Sequence, residues 1–259
     1  MKKMTLLCVA ALGTVALAGT VKVDALQNGD AKTTNGIIKM QAGGDTDILP
    51  KDPGTDKDTP IDPKDPNPKP GEPDANHVVK EGDLAFTKNP KVFNFGMQNV
   101  SAKIQAQGLY TVKALNQDTD DNNKIPFTGG IQTLQVYDGR PAGSNLDNWQ
   151  VAVKATPFTD KATQKTLVGA TLHLNNANSA KTCVRDKAGD VTVAPTIAIA
   201  TDGQTTSAVF GVENGNQAKG HTDLSWDATD VELQMAGSEA KVGAFQSVVT
   251  WTLTDAAFK

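Results

Sequence analysis

The stretch Val248-Val-Thr-Trp-Thr-Leu253 alternates between two kinds of side chain, and Asn148-Trp-Gln-Val-Ala-Val153 has the same pattern earlier in the chain. In an extended strand, residues two apart point to the same face of a sheet. Each tryptophan therefore stands beside an aliphatic residue two positions on. The chain has three tryptophans, and two of them occupy this pattern. These stretches predict two β-strands, each with an apolar face that carries a tryptophan.

The sequence from His77 to Lys259 consists of short β-branched and aromatic runs separated by Gly, Asn, Asp and Pro. Such runs are typical of strands, and no window keeps an apolar period of 3.6 residues long enough for a long helix. We therefore predict an all-β domain over residues 76–259, most simply an antiparallel β-sandwich. The predicted strands are Leu84–Thr87, Val92–Phe95, Ser101–Gln107, Tyr110–Ala114, Gly130–Val136, Trp149–Lys154, Leu167–Leu174, Thr196–Ala200, Ser207–Val212, Val231–Met235 and Ser247–Leu253.

Residues 1–25 have the pattern of a secretory signal peptide. Lys2 and Lys3 precede an apolar stretch from Met4 to Ala18, and small residues suit cleavage after Ala25. The apolar stretch is shorter than the roughly 20 residues that a membrane-spanning helix needs. We therefore expect an exported protein whose mature chain does not span the membrane.

Residues 26–75 are expected to be disordered and to contain a spacer. Eight prolines lie between Pro50 and Pro73, interleaved with Asp and Lys. Proline fixes φ and lacks a backbone donor, so this composition favours an extended polyproline II conformation. The charged Asp-Pro pairs suit a solvated spacer, whereas a proline-rich ligand for an aromatic groove is the alternative.

Charge and cysteine content exclude some classes of function. Removing Lys2, Lys3, Lys22 and Asp24 with the signal peptide changes the formal net charge from −4 to −6. Such a chain lacks the basic face that nucleic-acid binding needs. Cys183 is then the only cysteine, so no internal disulfide is expected.

No motif predicts catalysis, a cofactor or a metal. His77, His173 and His221 lack metal-ligand spacing, and we place His173 in a strand and His221 in a turn. The run from Asp118 to Lys124 resembles the start of a calcium loop, but it lacks the glycine and the glutamate of that motif, which favours a solvated turn. A carboxylate pair for glycoside hydrolysis is left open, because such pairs come from distant strands.

Several stretches together resemble the WxL-domain family of Gram-positive surface proteins. The first motif has Val151 where leucine is usual, which keeps an apolar partner for the tryptophan. The stretches that carry the resemblance, beside the signal peptide and the spacer, are Gly82-Asp-Leu-Ala-Phe86, Phe93-Asn-Phe-Gly96, Leu134-Gln-Val-Tyr-Asp-Gly-Arg140, Trp149-Gln-Val151, Leu167-Val-Gly-Ala-Thr-Leu172 and Val249-Thr-Trp-Thr-Leu-Thr-Asp-Ala256.

The resemblance implies a non-catalytic protein that attaches non-covalently to the cell wall, with peptidoglycan or an associated wall polymer as the partner. It also implies association with other surface proteins, some of which carry a membrane anchor. The chain has no Leu-Pro-x-Thr-Gly sorting signal, which agrees with non-covalent attachment. The alternative is a structural subunit that a membrane-anchored partner holds at the surface without direct contact with glycan.

Two interpretations of the tryptophan motifs remain open. Trp149 with Val151 and Trp251 with Leu253 could present a binding face to glycan or to a partner. Equally, they could fill the core of the sandwich, since two exposed apolar stripes would make an unusually large surface patch. If they are core residues, the binding surface lies elsewhere. Asp138 and Arg140, around a predicted turn, are the second candidates for binding.

Overall fold

The computed structural model describes residues 31–33, 46–52, 57–59, 74–115, 130–141, 147–181, 191–213 and 218–258. Within these ranges the regular secondary structure is nearly all β, with 47% of residues in strands and 6% in helices, which confirms the predicted all-β class. The only α-helix among the described residues is the short α1, Ala102–Gln105. The strands are β1 (Ala31–Thr33), β2 (Asp47–Ile48), β3 (Asp74–Asn76), β4 (Val79–Lys80), β5 (Leu84–Pro90), β6 (Tyr110–Lys113), β7 (Ile131–Asp138), β8 (Gln150–Ala155), β9 (Thr159–Asp160), β10 (Thr171–Leu174), β11 (Asn178–Lys181), β12 (Val191–Val193), β13 (Ile197–Ala200), β14 (Ser207–Val212), β15 (Gly220–Asp227), β16 (Val231–Met235), β17 (Phe245–Gln246) and β18 (Val249–Thr254).

Most of the strands form three antiparallel sheets. Sheet I has the order β1-β18-β8-β14-β12, sheet II has β11-β15-β7-β5-β3, and sheet III has β13-β10-β16-β6. Two further ribbons pair β17 with β9 and β2 with β4. Neighbouring strands in these sheets are mostly distant in sequence, so the sheets are assembled by long-range pairing.

Sheets I and II pack face to face, and sheet III extends the second layer. Trp251 of β18 contacts Trp226 of β15 across the layers, with ring centroids 6.2 Å apart. Sheet III follows sheet II through the 3-10 turn Ala228–Asp230, and its strand β13 contacts β8 and β14 of sheet I. The apolar faces of all three sheets therefore share one core.

The outer face of sheet II is covered as well, which explains why its strands are buried on both sides. The side chain of Gln135 accepts a hydrogen bond from the Lys51 backbone N–H (2.9 Å) and from the Thr87 hydroxyl (2.8 Å), and its amide donates to Asp223. These polar side chains are buried because the segment around Lys51 lies over them. Polar side chains can be buried at this position because they are hydrogen-bonded to one another.

Parts of the predicted disordered segment are folded onto the domain. β1 pairs with β18, and β2 pairs with β4. Pro50 and Thr59 are buried, and an isolated bridge joins Lys51 to Asp58. These short stretches pair with strands of the domain or, around Lys51 and Asp58, with one another, and the disorder predicted for residues 26–75 as a whole stays a prediction. The rest of residues 26–75, like the signal peptide, lies outside the described residues, and there the spacer stays a prediction.

The predicted strands agree with the structure in part. Ser207–Val212 and Val231–Met235 have the predicted bounds. Ser101–Gln107 was wrongly predicted as a strand, because Ser101 caps a helix by accepting a hydrogen bond from the Ile104 N–H at 3.3 Å. Val92–Phe95 forms an irregular loop rather than a strand, since its backbone is hydrogen-bonded to side chains and to neighbouring loops.

One long strand, β15, was missed by the sequence analysis. His221 lies in this strand and not in a turn, and it is 3% exposed. The alternation of β15 is hidden because its polar residues, including Thr222 and Asp223, are buried beneath other parts of the chain. Periodicity detects strands with one wet face, and this strand has none.

The turn that connects β13 of sheet III to β14 of sheet I is built around Asp202, whose carboxylate accepts three hydrogen bonds. These come from the Thr205 hydroxyl (2.5 Å) and from the backbone N–H groups of Gln204 and Thr205 (both 2.7 Å). They lower the pKa of Asp202 from 3.8 to about 2. The carboxylate is therefore ionised in the fold at pH values where it would be protonated in the unfolded chain.

We predict that this turn contributes to the acid sensitivity of the fold. A lowered carboxyl pKa adds stability above the unfolded value of 3.8, and the contribution is lost as the pH falls toward about 2. Asp202→Asn removes this term but keeps an oxygen acceptor. The melting temperature of the variant should therefore fall less steeply over this acidic range than that of the wild type. Parallel slopes in thermal unfolding followed by circular dichroism would contradict the assignment.

Candidate functional site

The two tryptophan motifs lie side by side in the centre of sheet I. β8 pairs with β18 so that Val151 stands opposite Leu253 and Val153 stands opposite Trp251. Because residues two apart share a face, the motif spacing places every apolar member of both strands on the inner side of the sheet. The sequence predicted each apolar face correctly, and the structure shows that the two faces are continuous.

Both tryptophans are core residues, with 0% of their surface exposed. Trp149 meets Phe210 edge to face with ring centroids 5.3 Å apart, and Trp251 contacts Trp226. Val151 and Leu253 are also completely buried. Of the two interpretations, packing in the core is therefore confirmed. A direct binding role for these four residues stays a prediction, and it requires that their side chains become accessible when the partner binds.

The three indole N–H groups of the core differ in their partners. Trp226 donates to Gln132 Oε1 at 3.1 Å, and Trp149 donates a longer bond of 3.4 Å to the carbonyl of Ala218. The N–H of Trp251 has no partner among the described residues. An unpaired buried donor costs about 1–3 kcal/mol, which the packing of the Trp251 ring in the core must offset.

Asp138 and Arg140 form a buried ion-pair cluster and not an exposed turn. The Arg140 guanidinium donates from Nε and Nη2 to the two carboxylate oxygens of Asp138, both at 2.9 Å. Lys219 approaches the same carboxylate at 3.2 Å and Asp147 at 3.0 Å. Nη2 of Arg140 also donates to the carbonyl of Asn148 at 3.0 Å. A direct binding role for Asp138 and Arg140 remains a prediction, because most of their polar side-chain atoms are already bonded within the cluster.

The glycine between these two residues permits the close approach of two backbone segments. A Cβ atom at Gly139 would lie 2.7 Å from the backbone nitrogen of Gly82 and 2.6 Å from Cε1 of Tyr137. The N–H of Gly139 donates to the carbonyl of Asp83 at 2.8 Å. The Asp-Gly-Arg sequence thus joins the end of β7 to the turn before β5 and to the chain leading into Trp149.

The histidines show no arrangement for catalysis. Nε2 of His77 is 2.7 Å from Oδ1 of Asn89, His173 lies in β10 as predicted, and the ring of His221 is 5.0 Å from that of Tyr137. No group of three or more His, Cys, Asp or Glu side chains among the described residues is placed to hold a metal ion. Cys183 and the run from Asp118 to Lys124 lie outside the described residues.

The structure contains a second feature that the sequence analysis missed, a cleft of about 780 Å³ above sheet III. We call it the aromatic cleft. It lies between the loop 91–98 on one side and the segments 156–161 and 240–249 on the other. Beneath it, Val112, Leu233 and Leu172 stand in register across β6, β16 and β10. Its volume lies within the range of about 300–1,000 Å³ that is common for ligand sites.

Four phenylalanines line the aromatic cleft. Phe93 and Phe95 line one side, while Phe158 and Phe245 line the other. Phe95 and Phe158 meet edge to face at 6.2 Å. Met97 stands at the rim with 95% of its surface exposed. The Phe-x-Phe spacing at 93–95 was visible in the sequence, but only tertiary packing brings Phe245 to it.

The charged residues that line the aromatic cleft are all lysines, although acidic residues outnumber basic ones in the chain. They are Lys91, Lys161 and Lys241. Nζ of Lys241 forms an ion pair at 2.7 Å with Glu239, a residue outside the lining, and donates a hydrogen bond to the carbonyl of Thr166 at 3.1 Å. Among the described residues, no aspartate or glutamate lines this space.

A family model described as WxL domain surface cell wall-binding matches residues 27–256. The chain therefore belongs to the WxL family of cell wall-binding surface proteins. Comparison with curated proteins finds no match, and comparison with solved structures finds none either. The match includes both tryptophan motifs and reaches back through the predicted spacer. Among the described residues, no helix is both long enough and apolar enough to cross a bilayer.

We predict that Trp226→Phe destabilises the fold by about 1 kcal/mol more than Trp251→Phe. Both substitutions remove a similar part of a buried indole, so the cavity terms are comparable. Only the first breaks a hydrogen bond and leaves Gln132 Oε1 without its donor. Urea unfolding followed by far-UV circular dichroism measures the difference, and an equal or opposite ranking would refute the role given to this bond.

We predict that Asp138→Asn destabilises the fold by about 3 kcal/mol, because it leaves Arg140 and Lys219 buried without their shared carboxylate. The matched control is Lys113→Gln, which breaks a 3.7 Å ion pair whose lysine side chain is 65% exposed. The control should change the free energy of unfolding by less than about 1 kcal/mol. Similar losses of unfolding free energy in the two variants would show that the cluster does not stabilise the fold.

Proposed function

We propose that the protein is exported, lacks catalytic activity and attaches non-covalently to peptidoglycan through the domain that the family match covers. The match over residues 27–256 carries this proposal, because it identifies a cell wall-binding surface protein. Export is supported by Lys2 and Lys3 ahead of the apolar stretch from Met4 to Ala18.

The described carboxylates with lowered pKa values, among them Asp227 and Glu239, are not candidates for a general acid. Hydrogen bonds from Thr229 lower the pKa of Asp227, and the hydrogen bond from Lys241 is the largest of several effects that lower the pKa of Glu239. A general acid for glycoside hydrolysis needs a raised pKa, since it must be protonated near neutral pH. These carboxylates are shifted in the opposite direction. They hold turns and loops, as Asp202 does.

The buried motif residues suggest that the tryptophans serve binding indirectly. Trp149 and Trp251 shape the sandwich whose loops form the outer surface, while the polar contacts to a wall polymer come from that surface. On this proposal a conservative core change such as Val151→Leu, which restores the usual family residue, leaves wall binding unaltered. Direct contact through the motifs would make binding sensitive to this change.

We expect the purified full chain to sediment with washed cell walls and to be released intact by hot detergent without digestion of the glycan. Release without digestion follows from attachment by many weak contacts, whereas a covalent link would require a wall hydrolase. The same incubation should release no reducing ends. A chain that stays in the supernatant at every salt concentration would refute direct wall binding.

The second candidate function is that of a structural subunit in a surface complex, held by a membrane-anchored partner. The aromatic cleft favours it, because an apolar cavity of this size with an exposed methionine at its rim is typical of a site for another molecule. Recovery of stoichiometric protein partners from native surfaces, in the absence of glycan contacts, distinguishes this function from direct attachment.

A further inference from the structure

The aromatic cleft is a built feature of the fold. Its irregular wall, residues 91–98, is held by specific hydrogen bonds, including Gln132 Nε2 to the carbonyl of Val92 (2.8 Å) and the Leu115 N–H to the carbonyl of Asn94 (2.7 Å). Gly96 has a φ of +62°, and a Cβ there would lie 2.8 Å from Leu115 Cδ1. The positive φ favours glycine, so the wall has a defined shape.

The interior of the cleft suits an apolar side chain better than a sugar. Leu172, Leu233 and Met235 lie beneath it, and Phe95 and Phe158 flank it. A sugar ring needs several acceptors for its hydroxyl groups, and carboxylates are the strongest acceptors that side chains provide. The described lining contains no carboxylate.

Two of the amide side chains that line the cleft, those of Asn94 and Gln98, are hydrogen-bonded within the protein. Asn94 Oδ1 accepts from the Gly96 N–H at 2.8 Å. Gln98 donates to the carbonyl of Phe95 at 2.8 Å and accepts from the Tyr110 hydroxyl at 3.4 Å. Few polar atoms are left to recognise a pattern of hydroxyl groups. Selectivity must therefore come from shape, apolar contact and charge.

The charge of the cleft points to an acidic occupant. Lys91, Lys161 and Lys241 line it, while the rest of the chain carries an excess of acids. A basic site on an otherwise acidic molecule attracts carboxylates, whereas the acidic surface around it repels them. Met97 at the rim can adapt its unbranched side chain to different apolar partners.

We propose that the aromatic cleft binds an acidic peptide segment of a partner surface protein. An apolar side chain of the segment lies over Leu172 and Leu233, beside the edge-to-face pair of Phe95 and Phe158, and a flanking carboxylate meets Lys161. The inference rests on the second candidate function and is independent of direct wall binding. It assigns the contact to the loops above sheet III and not to the tryptophan motifs.

The test is a selection of random displayed peptides on the purified full chain, with the Met97→Glu variant as the counter-selection target. Met97 is 95% exposed, so the substitution should leave the fold unchanged, which circular dichroism checks. The selected peptides should combine Asp or Glu with Leu, Phe or Met. Selected peptides without acidic residues, or no peptide that distinguishes wild type from variant, would overturn the proposal.

Affinities of the selected peptides are then measured by fluorescence anisotropy. Met97→Glu and Lys161→Glu should each weaken binding about tenfold, the loss expected when one important contact is removed. The matched controls are Ile131→Glu, an exposed apolar residue outside the lining, and Lys154→Glu, an exposed lysine on β8. Both controls should keep the wild-type affinity within about twofold. Equal losses in variants and controls would refute the location.

Sedimentation with protease-treated, protein-free walls separates this proposal from wall attachment. Met97→Glu should sediment as the wild type does, because the cleft is assigned to a peptide. If this variant loses wall binding but keeps its peptides, the cleft holds the wall polymer and the proposal is wrong. If the wild type binds the selected peptides but not the walls, direct wall attachment fails and the peptide site stands.

Discussion

The packing of Trp251 against Trp226 is the contact on which the rest of the structure depends. It joins the central pair of strands in sheet I, β8 and β18, to the longest strands of sheet II. The two rings lie 6.2 Å apart and are both buried, so they determine how far apart the two layers stand at this point. Large aromatic side chains contribute most of the contact area where two sheets meet. Phe93, in the wall of the aromatic cleft, also contacts Trp226, so core and cleft share one set of aromatic rings.

The polar interior follows from covering sheet II on both sides. Gln135, Thr87 and Asp223 would be ordinary surface residues on a sheet with one wet face, yet here they are buried and bonded to one another and to the segment around Lys51. The ion pair of Asp138 and Arg140, at the end of β7, is likewise buried and bonded within the protein. Buried polar groups of this kind add specificity more than stability, because desolvation offsets much of their attraction. They explain how a segment rich in proline can be tied to the domain at a few points.

The apolar residues of the protein have two roles. The motif residues, among them Trp149, Val151 and Leu253, are fully buried and hold the sheets together. In the aromatic cleft, Phe93, Phe95 and Phe245 are partly buried and surround a space that faces outward above buried core residues. A surface protein without long described helices thus keeps its recognisable sequence motifs inside. On the proposed function, the binding contacts come from loops, where sequence changes disturb the core least.

The sequence by itself determined the all-β class, the strand pattern around both tryptophans and the family resemblance. The first two rest on a local period of two residues, which a strand with one apolar face shows directly, and the third rests on short motifs read in order. Only the tertiary structure decided that the tryptophans are core, that Asp138 and Arg140 are buried, and that β15 is a strand. It also brought Phe93 and Phe245 to opposite walls of one cleft. These features depend on which surfaces meet, and burial by a distant segment leaves no periodic signal in the residues that it covers.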